Sequence, residues 1–169
     1  MIRAVVAGTV GASILLSGGT AVAGLVTGFP PGPGDFVKPV DRSSISQPFG
    51  CTVFAFEPVD PHCPGGHWHS GIDLAAARGT AVRATLSGVA SVIAAPYGYG
   101  LHVVVDHGNG LTSLYAHLDS VAVASGSWVD GGQVIGSVGA SGNATGPHLH
   151  FEVRRDGVAE DPMLEMVLP

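Results

Sequence analysis

Short runs of alternating polar and apolar residues follow one another from about residue 80 onward, separated by Gly, Asn, Asp and Ser. An alternation with a period of two is typical of β-strands that bury one face. We predict six such strands, at residues 89–95, 101–106, 111–117, 121–124, 134–138 and 148–154. No segment of this region keeps a helical period over ten residues. The pattern therefore predicts an all-β fold, an antiparallel β-sheet sandwich or half-barrel with short strands and Gly-rich turns.

The turn between the second and third predicted strands is the clearest one in the chain. It contains Asn109-Gly110, and these residue types accept the positive φ angles that a two-residue hairpin requires. We therefore predict a β-hairpin at this point.

The last predicted strand contains several polar side chains that could take part in binding or catalysis. In Pro147-His-Leu-His-Phe-Glu-Val153, a strand directs His148, His150 and Glu152 to one face and the apolar residues between them to the other. The glycines and the proline just before it predict a turn, which would deliver the first histidine to the mouth of a cleft. Two imidazoles on one face can bind a metal, but a catalytic site needs further ligands from elsewhere in the chain.

A second polar cluster lies in Trp68-His-Ser-Gly-Ile-Asp-Leu74. His69 and Asp73 share a face in a helix or in extended chain, and the glycines nearby favour extended chain. With His148 or His150 they form a set of two imidazoles and one carboxylate, which binds catalytic zinc and leaves one position open for water. The same set also forms the facial triad of non-haem iron oxygenases, so the residues alone leave both metals open.

Composition and charge narrow the class of protein. The chain has 26 glycines in 169 residues, about twice the usual share, while 46% of its residues are hydrophobic and 12% are charged. So apolar a chain favours a compact, turn-rich domain over disorder. The formal net charge of −6 argues against a nucleic-acid partner.

The first 23 residues differ from the rest of the chain. Arg3 is their only charged residue, residues 4–16 are small and apolar, and Ala21-Val-Ala23 fits a cleavage site. We therefore predict a signal peptide at 1–23, a Pro/Gly-rich linker at 24–39 and one domain at 40–169. The alternative is an uncleaved anchor within residues 4–26, which would associate the protein with a membrane. Both place the domain outside the cytoplasm, in the cell envelope or the extracellular space.

Cys51 and Cys63 are the only cysteines, an even number in a chain that we predict to be exported. They are therefore predicted to form a disulfide. Closing so short a loop stabilises a fold by about 3 kcal/mol in the chain-entropy model. The alternative is metal binding together with His62 or His67, which no paired Cys-x-x-Cys spacing supports.

Three motifs carry a resemblance to a known family. They are Trp-His-x-Gly-x-Asp at 68–73, Leu-Tyr-Ala-His-Leu at 114–118 and Gly-x-Ser-Gly-x-x-Thr-Gly-Pro-His-Leu-His-Phe-Glu at 139–152. Together, and in this order, they resemble the motifs of the M23 zinc metallopeptidases, the lysostaphin- and LytM-like peptidoglycan endopeptidases. The resemblance extends from about Ile45 to Pro162. It implies a LytM-type fold and hydrolysis of peptide bonds in the stem or cross-bridge peptides of bacterial peptidoglycan.

The resemblance also implies a role for five residues. One zinc ion would be held by His69, Asp73 and His150. His117 and His148 would lie beside the open position, where histidines can transfer protons or stabilise developing charge.

Two further residues are predicted beside this site. A tyrosine of the family is carried over to Tyr97, with Tyr99 as the alternative, because Gly100-Leu101 departs from the Gly-Asn often found there. Glu152 shares the face of His150, so we predict that it accepts the second N–H of that ligand. The alternative for Glu152 is a solvated surface charge.

Non-catalytic alternatives also follow from the sequence. Some family members lack ligands and act as scaffolds or activators of other cell-wall hydrolases. All five positions are filled here, so the sequence favours an active enzyme, with a catalytically weak scaffold or activator as the alternative. Residues 129–136 also resemble the turn of lipoyl and biotinyl carrier domains, but the chain has no lysine after Lys38 to carry the group.

Overall fold

The computed structural model describes residues 36–166. The predicted leader, the alternative anchor and most of the predicted linker fall in residues 1–35, outside this range, and residues 167–169 lie outside it too. Within it, no helix is long and apolar enough to cross a membrane. The elements in chain order are β1 (Ser44–Gln47), β2 (Gly50–Thr52), β3 (His67–His69), β4 (Ile72–Ala75), β5 (Ala81–Arg83), β6 (Gly88–Ala94), β7 (Leu101–Gly108), β8 (Leu111–Ala116), β9 (Leu118–Val121), β10 (Trp128–Val129), β11 (Val134–Val138), β12 (His148–Arg155), β13 (Val158–Glu160) and α1 (Pro162–Glu165).

The strands form three antiparallel sheets. The largest has eight strands in the order β1-β4-β12-β8-β7-β6-β10, with β13 paired to β12. A three-stranded sheet has the order β5-β11-β9, and β2 pairs with β3 in a separate ribbon. The sequence-based prediction of an all-β antiparallel fold is confirmed, since the one helix within residues 36–166 has four residues.

Five of the six predicted strands lie within two residues of observed ones, and the fourth is displaced. It was predicted at 121–124, but β9 covers Leu118–Val121. Leu118 is buried, while the polar Asp119 and Ser120 after it are exposed at the edge of the small sheet. There the Ser120 hydroxyl lies 2.8 Å from that of Ser137 on β11. Two adjacent polar residues indicated a turn in the sequence, although an edge strand accommodates them as well.

The hairpin between β7 and β8 forms at the predicted Asn109-Gly110. Their φ angles are 52° and 77°, both positive, as this tight connection requires. The turn is enclosed as well, because a Cβ built on Gly110 would lie 2.0 Å from Oδ1 of Asp156. Glycine is therefore needed at this position for both reasons.

β12 lies at the centre of the large sheet, between β4 and β8. Its apolar residues Leu149, Phe151 and Val153 are fully buried, and the ring of Phe151 lies 5.3 Å from that of Tyr115 on β8. Burying each such side chain contributes about 1.5–3 kcal/mol. This packing fixes the strand, so the histidines that alternate with the apolar residues hold defined positions.

The packed domain includes residues before 40, where the sequence placed its start. Val40 is fully buried in the core, and Phe36 packs against the core. The backbone N–H of Val37 donates to the carbonyl of Thr85 at 2.9 Å, and the Thr85 hydroxyl donates back at 2.8 Å. A Pro- and Gly-rich composition does not reveal such backbone attachment, so it predicted a linker as far as residue 39.

Candidate metal centre

Three strands bring His69, Asp73 and His150 together. His69 ends β3, Asp73 lies on β4 and His150 lies on β12, where the register places it directly opposite Asp73. One ligand atom from each residue lies within 4.8 Å of the other two. The pairs of atoms are close: His150 Nδ1 lies 2.9 Å from Asp73 Oδ1 and 3.0 Å from His69 Nε2, and His69 Nε2 lies 3.3 Å from Asp73 Oδ1.

In both candidate ligand histidines, the nitrogen that faces away from the cluster, here called the outer nitrogen, already has a hydrogen-bond acceptor. His69 Nδ1 lies 2.8 Å from the carbonyl of Pro48, and His150 Nε2 lies 2.9 Å from the Glu152 carboxylate. Because these oxygens only accept, both outer nitrogens carry the hydrogen, and the two inner nitrogens of neutral rings present lone pairs. With both rings neutral, two nitrogen lone pairs and one carboxylate oxygen converge on one point, where a bound cation would satisfy all three.

The geometry fits zinc. Tetrahedral zinc with bonds of about 2.0–2.1 Å places its ligand atoms roughly 3.3 Å apart, close to the observed spacings. Burial alone would lower the pKa of His150, but the Asp73 and Glu152 carboxylates outweigh it and raise that pKa to about 9. Burial likewise opposes ionisation of Asp73, yet hydrogen bonds from His150 and His69 hold its pKa well below the usual range. The cluster thus favours positive charge at its centre.

Glu152 is fully buried and accepts four hydrogen bonds. Its donors are the hydroxyls of Ser70 and Tyr99, each at 2.6 Å, His150 Nε2 at 2.9 Å and Arg154 Nε at 2.5 Å. Burial would raise the pKa of Glu152, but the hydrogen bonds from His150 and Arg154 lower it to about 2. The residue therefore lies behind His150 as an ionised acceptor, and the alternative of a solvated surface charge does not describe it.

His117 and His148 lie beside the cluster, with their ring centroids 4.8 Å apart. Nδ1 of His117 donates to the carbonyl of Ser141 and Nδ1 of His148 to that of Gly146, both at 2.8 Å. Each neutral ring therefore keeps an unprotonated Nε2. Burial lowers the pKa of His117 to about 4, so this ring is neutral at neutral pH.

The backbone of His117 adopts an uncommon conformation. Its φ is 60°, in the left-handed region that non-glycine residues rarely occupy. Its N–H donates to the carbonyl of Tyr99 at 2.9 Å, which ties the residue to the neighbouring β6–β7 turn. Such strain persists only where the surroundings hold it, and it is concentrated at functional sites.

A cleft opens in front of these residues. It consists of two adjoining depressions of about 260 and 250 Å³ that share Phe56, Glu57, His117, Asn143 and His150. One wall is the loop between β2 and β3, which the Cys51–Cys63 disulfide closes. The opposite wall is the segment before β12 that contains Asn143 and Thr145. Both depressions therefore border His117 and His150.

Tyr99, the alternative to Tyr97, lies in the cleft. Its ring centroid is 5.5 Å from that of His150, whereas Tyr97 is 76% exposed and lines neither depression. Gly98 and Gly100 both have positive φ, and a Cβ on Gly100 would come within 2.4 Å of the Ser141 backbone. The two glycines thus make the tight turn that directs Tyr99 inward. We therefore assign Tyr99, in place of Tyr97, to the site.

Sequence reasoning missed several residues of the site. Glu57 lines both depressions, and one of its carboxylate oxygens lies 4.0 Å from His69 Nε2. Ser70 and Arg154 hold Glu152, and Asn143 lines both depressions. The alternation of β12 could have indicated Arg154, two residues after Glu152, and Ser70 directly follows the candidate ligand His69. Nothing in the sequence indicated Glu57, because its loop reaches the cleft only through the three-dimensional fold.

The model of Peptidase family M23 matches residues 67–162, and the chain belongs to this family. The domain accordingly has the LytM-type fold that the motifs implied.

Two curated relatives and one solved structure illustrate the similarity. The chain is 42% identical over 127 residues to the DD-carboxypeptidase/endopeptidase Mpg of Neisseria meningitidis, covering 75% of this chain and 28% of Mpg. It is 47% identical over 94 residues to the murein hydrolase activator EnvC of Escherichia coli, covering 54% of this chain and 22% of EnvC. The chain thus matches only about a quarter of the length of these relatives.

The solved structure is that of a zinc-containing peptidase from Vibrio cholerae. It superimposes with a TM-score of 0.64 at 33% identity, covering 80% of this chain and 40% of that chain.

Proposed function

We propose that the protein is a zinc-dependent endopeptidase that hydrolyses peptide bonds in the stem or cross-bridge peptides of peptidoglycan. One observation carries the proposal: lone-pair atoms of His69, Asp73 and His150 converge within 3.3 Å, beside two histidines in an open cleft. Membership of family M23 and the zinc-containing structural neighbour support the choice of zinc over iron.

The proposed chemistry divides between the metal and the chain. Zinc held by these ligands would polarise the scissile carbonyl and lower the pKa of water toward ~7. His117 and His148 would transfer the protons that hydrolysis requires, since a neutral Nε2 can accept a proton and return it to the departing amine. A ring that has taken up a proton at Nε2 would also donate a hydrogen bond to developing negative charge. Tyr99 donates to Glu152, so we assign it a positioning role behind His150.

Peptidoglycan is proposed as the substrate from the relatives and from the cleft. The name of Mpg describes a DD-peptidase and that of EnvC concerns murein, the polymer of the bacterial wall. The cleft consists of two depressions that share His117 and His150, which suits a peptide that continues past the scissile bond on both sides.

Digestion of purified walls tests the proposal. The chain is incubated with peptidoglycan, and released fragments are identified by mass spectrometry. We expect fragments with new amino and carboxyl ends, loss of release with a zinc chelator, and recovery when zinc is restored. A zinc-loaded chain that releases nothing beyond a His148→Ala control would contradict the proposal.

The similarity to EnvC favours a second candidate function, activation of another wall hydrolase. A chain that leaves walls intact alone but increases fragment release by an added wall hydrolase would support it. A chain that cleaves walls alone, with no effect on the added hydrolase, supports the peptidase.

We also propose that the domain is exported. The Cys51–Cys63 disulfide supports this, because disulfides persist in oxidising compartments. Sequencing the N-terminus of the protein recovered from the envelope or medium tests the leader separately. A mature chain that begins near residue 24 supports cleavage, and one that begins at Met1 supports the anchor.

A further inference from the structure

Glu57 places a carboxylate at the point where the two depressions of the cleft meet. The residue lines both of them, and its side chain is 18% exposed. Gln47 Nε2 donates to its Oε1 at 3.3 Å, and this oxygen lies 4.0 Å from His69 Nε2. The contacts of the described residues give Oε2 no protein donor, so Glu57 keeps hydrogen-bonding capacity for a ligand.

The loop that carries Glu57 holds it in place. Its backbone N–H donates to the carbonyl of Phe54 at 3.1 Å, and its own carbonyl accepts from His67 Nδ1 at 2.7 Å. The Cys51–Cys63 disulfide closes the loop around this segment. A carboxylate held in this way interacts with a ligand at little additional entropic cost.

The charged residues that line the cleft do not favour the binding of a carboxylate. Among residues 36–166, no lysine or arginine lines either depression, and the carboxylates that do are those of Asp73 and Glu57. Arg154 lies close by, but Glu152 and Tyr99 already accept its hydrogen bonds. A divalent metal would bring two positive charges, and these two carboxylates would offset both.

We propose that Glu57 is a specificity-determining residue, which selects substrates that present an ammonium group beside the scissile bond and disfavours those with a free α-carboxylate there. This rests on the proposed peptidase function. A carboxylate attracts an ammonium and repels a second carboxylate, most effectively where burial reduces solvent screening. Removal of a C-terminal residue would bring its α-carboxylate next to the reacting atoms. Cleavage of a bond whose leaving residue continues through an amide at that carboxyl group avoids the repulsion.

Two pairs of synthetic peptides test the inference, each spanning the bond that wall digestion identifies. The first pair differs only in whether the side-chain amine near this bond is free or acetylated. The second pair ends one residue after the bond, with a free carboxylate or an amide. We expect the wild type to prefer the free amine and the amide by about fivefold or more in kcat/KM, the scale of a partly exposed ion pair.

Glu57→Gln should bring both preferences close to one, because the amide keeps the shape and removes the charge. Asp60→Asn is the matched control, since Asp60 lies on the same loop, lines neither depression and contacts His62. Its preferences should equal those of the wild type. The same peptides give a second readout when their Kd values are measured with His148→Ala and with the Glu57→Gln/His148→Ala double variant.

Three outcomes would overturn the inference while leaving the peptidase function intact. Unchanged preferences in Glu57→Gln show that the charge does not select. An equal loss of turnover on all four peptides makes Glu57 a participant in the reaction. An equal gain on all four makes it an obstacle in the cleft. Failure of the wild type to cleave any wall peptide instead contradicts the proposed function.

Discussion

The chemistry of the candidate centre depends on which nitrogen of each histidine forms a hydrogen bond outside the cluster. His69 gives Nδ1 to a backbone carbonyl and faces the cluster with Nε2, while His150 gives Nε2 to Glu152 and faces it with Nδ1. The two rings thus present opposite nitrogens to the same point. An outer hydrogen bond of this kind fixes the tautomer and the orientation of a ligand ring.

Replacing the proposed ligands should remove the metal. We expect His69→Ala, Asp73→Ala and His150→Ala each to lose zinc and wall-degrading activity together, since three protein ligands leave little redundancy. Thermal stability should fall as well, because bound metal stabilises the native state. Metal analysis of the purified variants checks this, with the exposed His62→Ala as a control. Stoichiometric zinc in His150→Ala would exclude His150 as a ligand.

His117 and His148 should act without holding the metal. Alanine at either position should reduce turnover by about 10²-fold or more, the usual scale for losing general acid–base help. Zinc content should stay near one per chain, because the ligand atoms converge without these rings. Parallel measurements of turnover and zinc content separate the two roles. Zinc loss in His148→Ala would make this residue a ligand instead.

Tyr99 should act through Glu152 and His150. Tyr99→Phe removes a 2.6 Å hydrogen bond to a buried carboxylate, so zinc affinity should fall by about tenfold, as for other residues behind metal ligands. Tyr97→Phe, two residues away and exposed, is the matched control and should bind zinc like the wild type. Competition with a metallochromic chelator measures the affinities. A loss of turnover at unchanged affinity would mean that the phenol acts on the reacting atoms.

At the scale of elements, the sequence predicted what depends on local periodicity. Strand β12, with its polar and apolar alternation, and the Asn109-Gly110 hairpin agree with the structure. Strand β9 is displaced because Asp119 and Ser120 are as compatible with an edge strand as with a turn. Glu57 could not be predicted, because its position depends on how a bridged loop folds over the sheet. Local pattern identified the candidate ligands, while tertiary contacts were needed for the cleft wall.

His107, at the end of β7, should make stability depend on pH away from the metal site. It bridges the carbonyl of Ser87 and the hydroxyl of Ser113, and burial lowers its pKa below the usual 6.5. The unfolded chain therefore binds this proton more readily. The contribution of His107 is present above pH 6.5 and is lost as pH falls from there toward the folded pKa.

Urea unfolding between pH 7.5 and 5 tests this contribution. The free energy of unfolding should decrease less on acidification in His107→Gln than in the wild type. The 94% exposed side chain of His62 provides the control, and His62→Gln should leave the pH dependence unchanged. A His107→Gln protein with the wild-type slope would contradict the prediction.

At the scale of the whole molecule, the site combines residues from two regions of the fold, and different interactions hold each region in place. The ligands on β4 and β12 belong to the large sheet and its buried core, whereas His69 ends a ribbon strand whose partner, β2, contains Cys51. The same ribbon leads into the loop that carries Glu57 and Phe56. Damage to the ribbon should therefore affect metal binding and the cleft wall while the sheet stays folded.

The Cys51–Cys63 disulfide gives the means to test this division. Cys51→Ser with Cys63→Ser removes a cross-link of 12-residue separation, so the free energy of unfolding should fall by about 3 kcal/mol or less. Zinc affinity should fall too, because His69 pairs with Gly50, next to Cys51 on β2. Far-ultraviolet circular dichroism should keep its β signature, because the core between the sheets lacks these residues.

Mass spectrometry of the exported protein under non-reducing conditions establishes that the bridge is present before the variant is interpreted. Two free thiols in that protein would refute the disulfide, and unchanged zinc affinity in the double variant would refute its support of the metal centre. A complete loss of β structure would show that the large sheet depends on the ribbon, contrary to the division proposed here. Wild-type protein treated with reductant should reproduce the double variant, which separates loss of the bond from any effect of the serines.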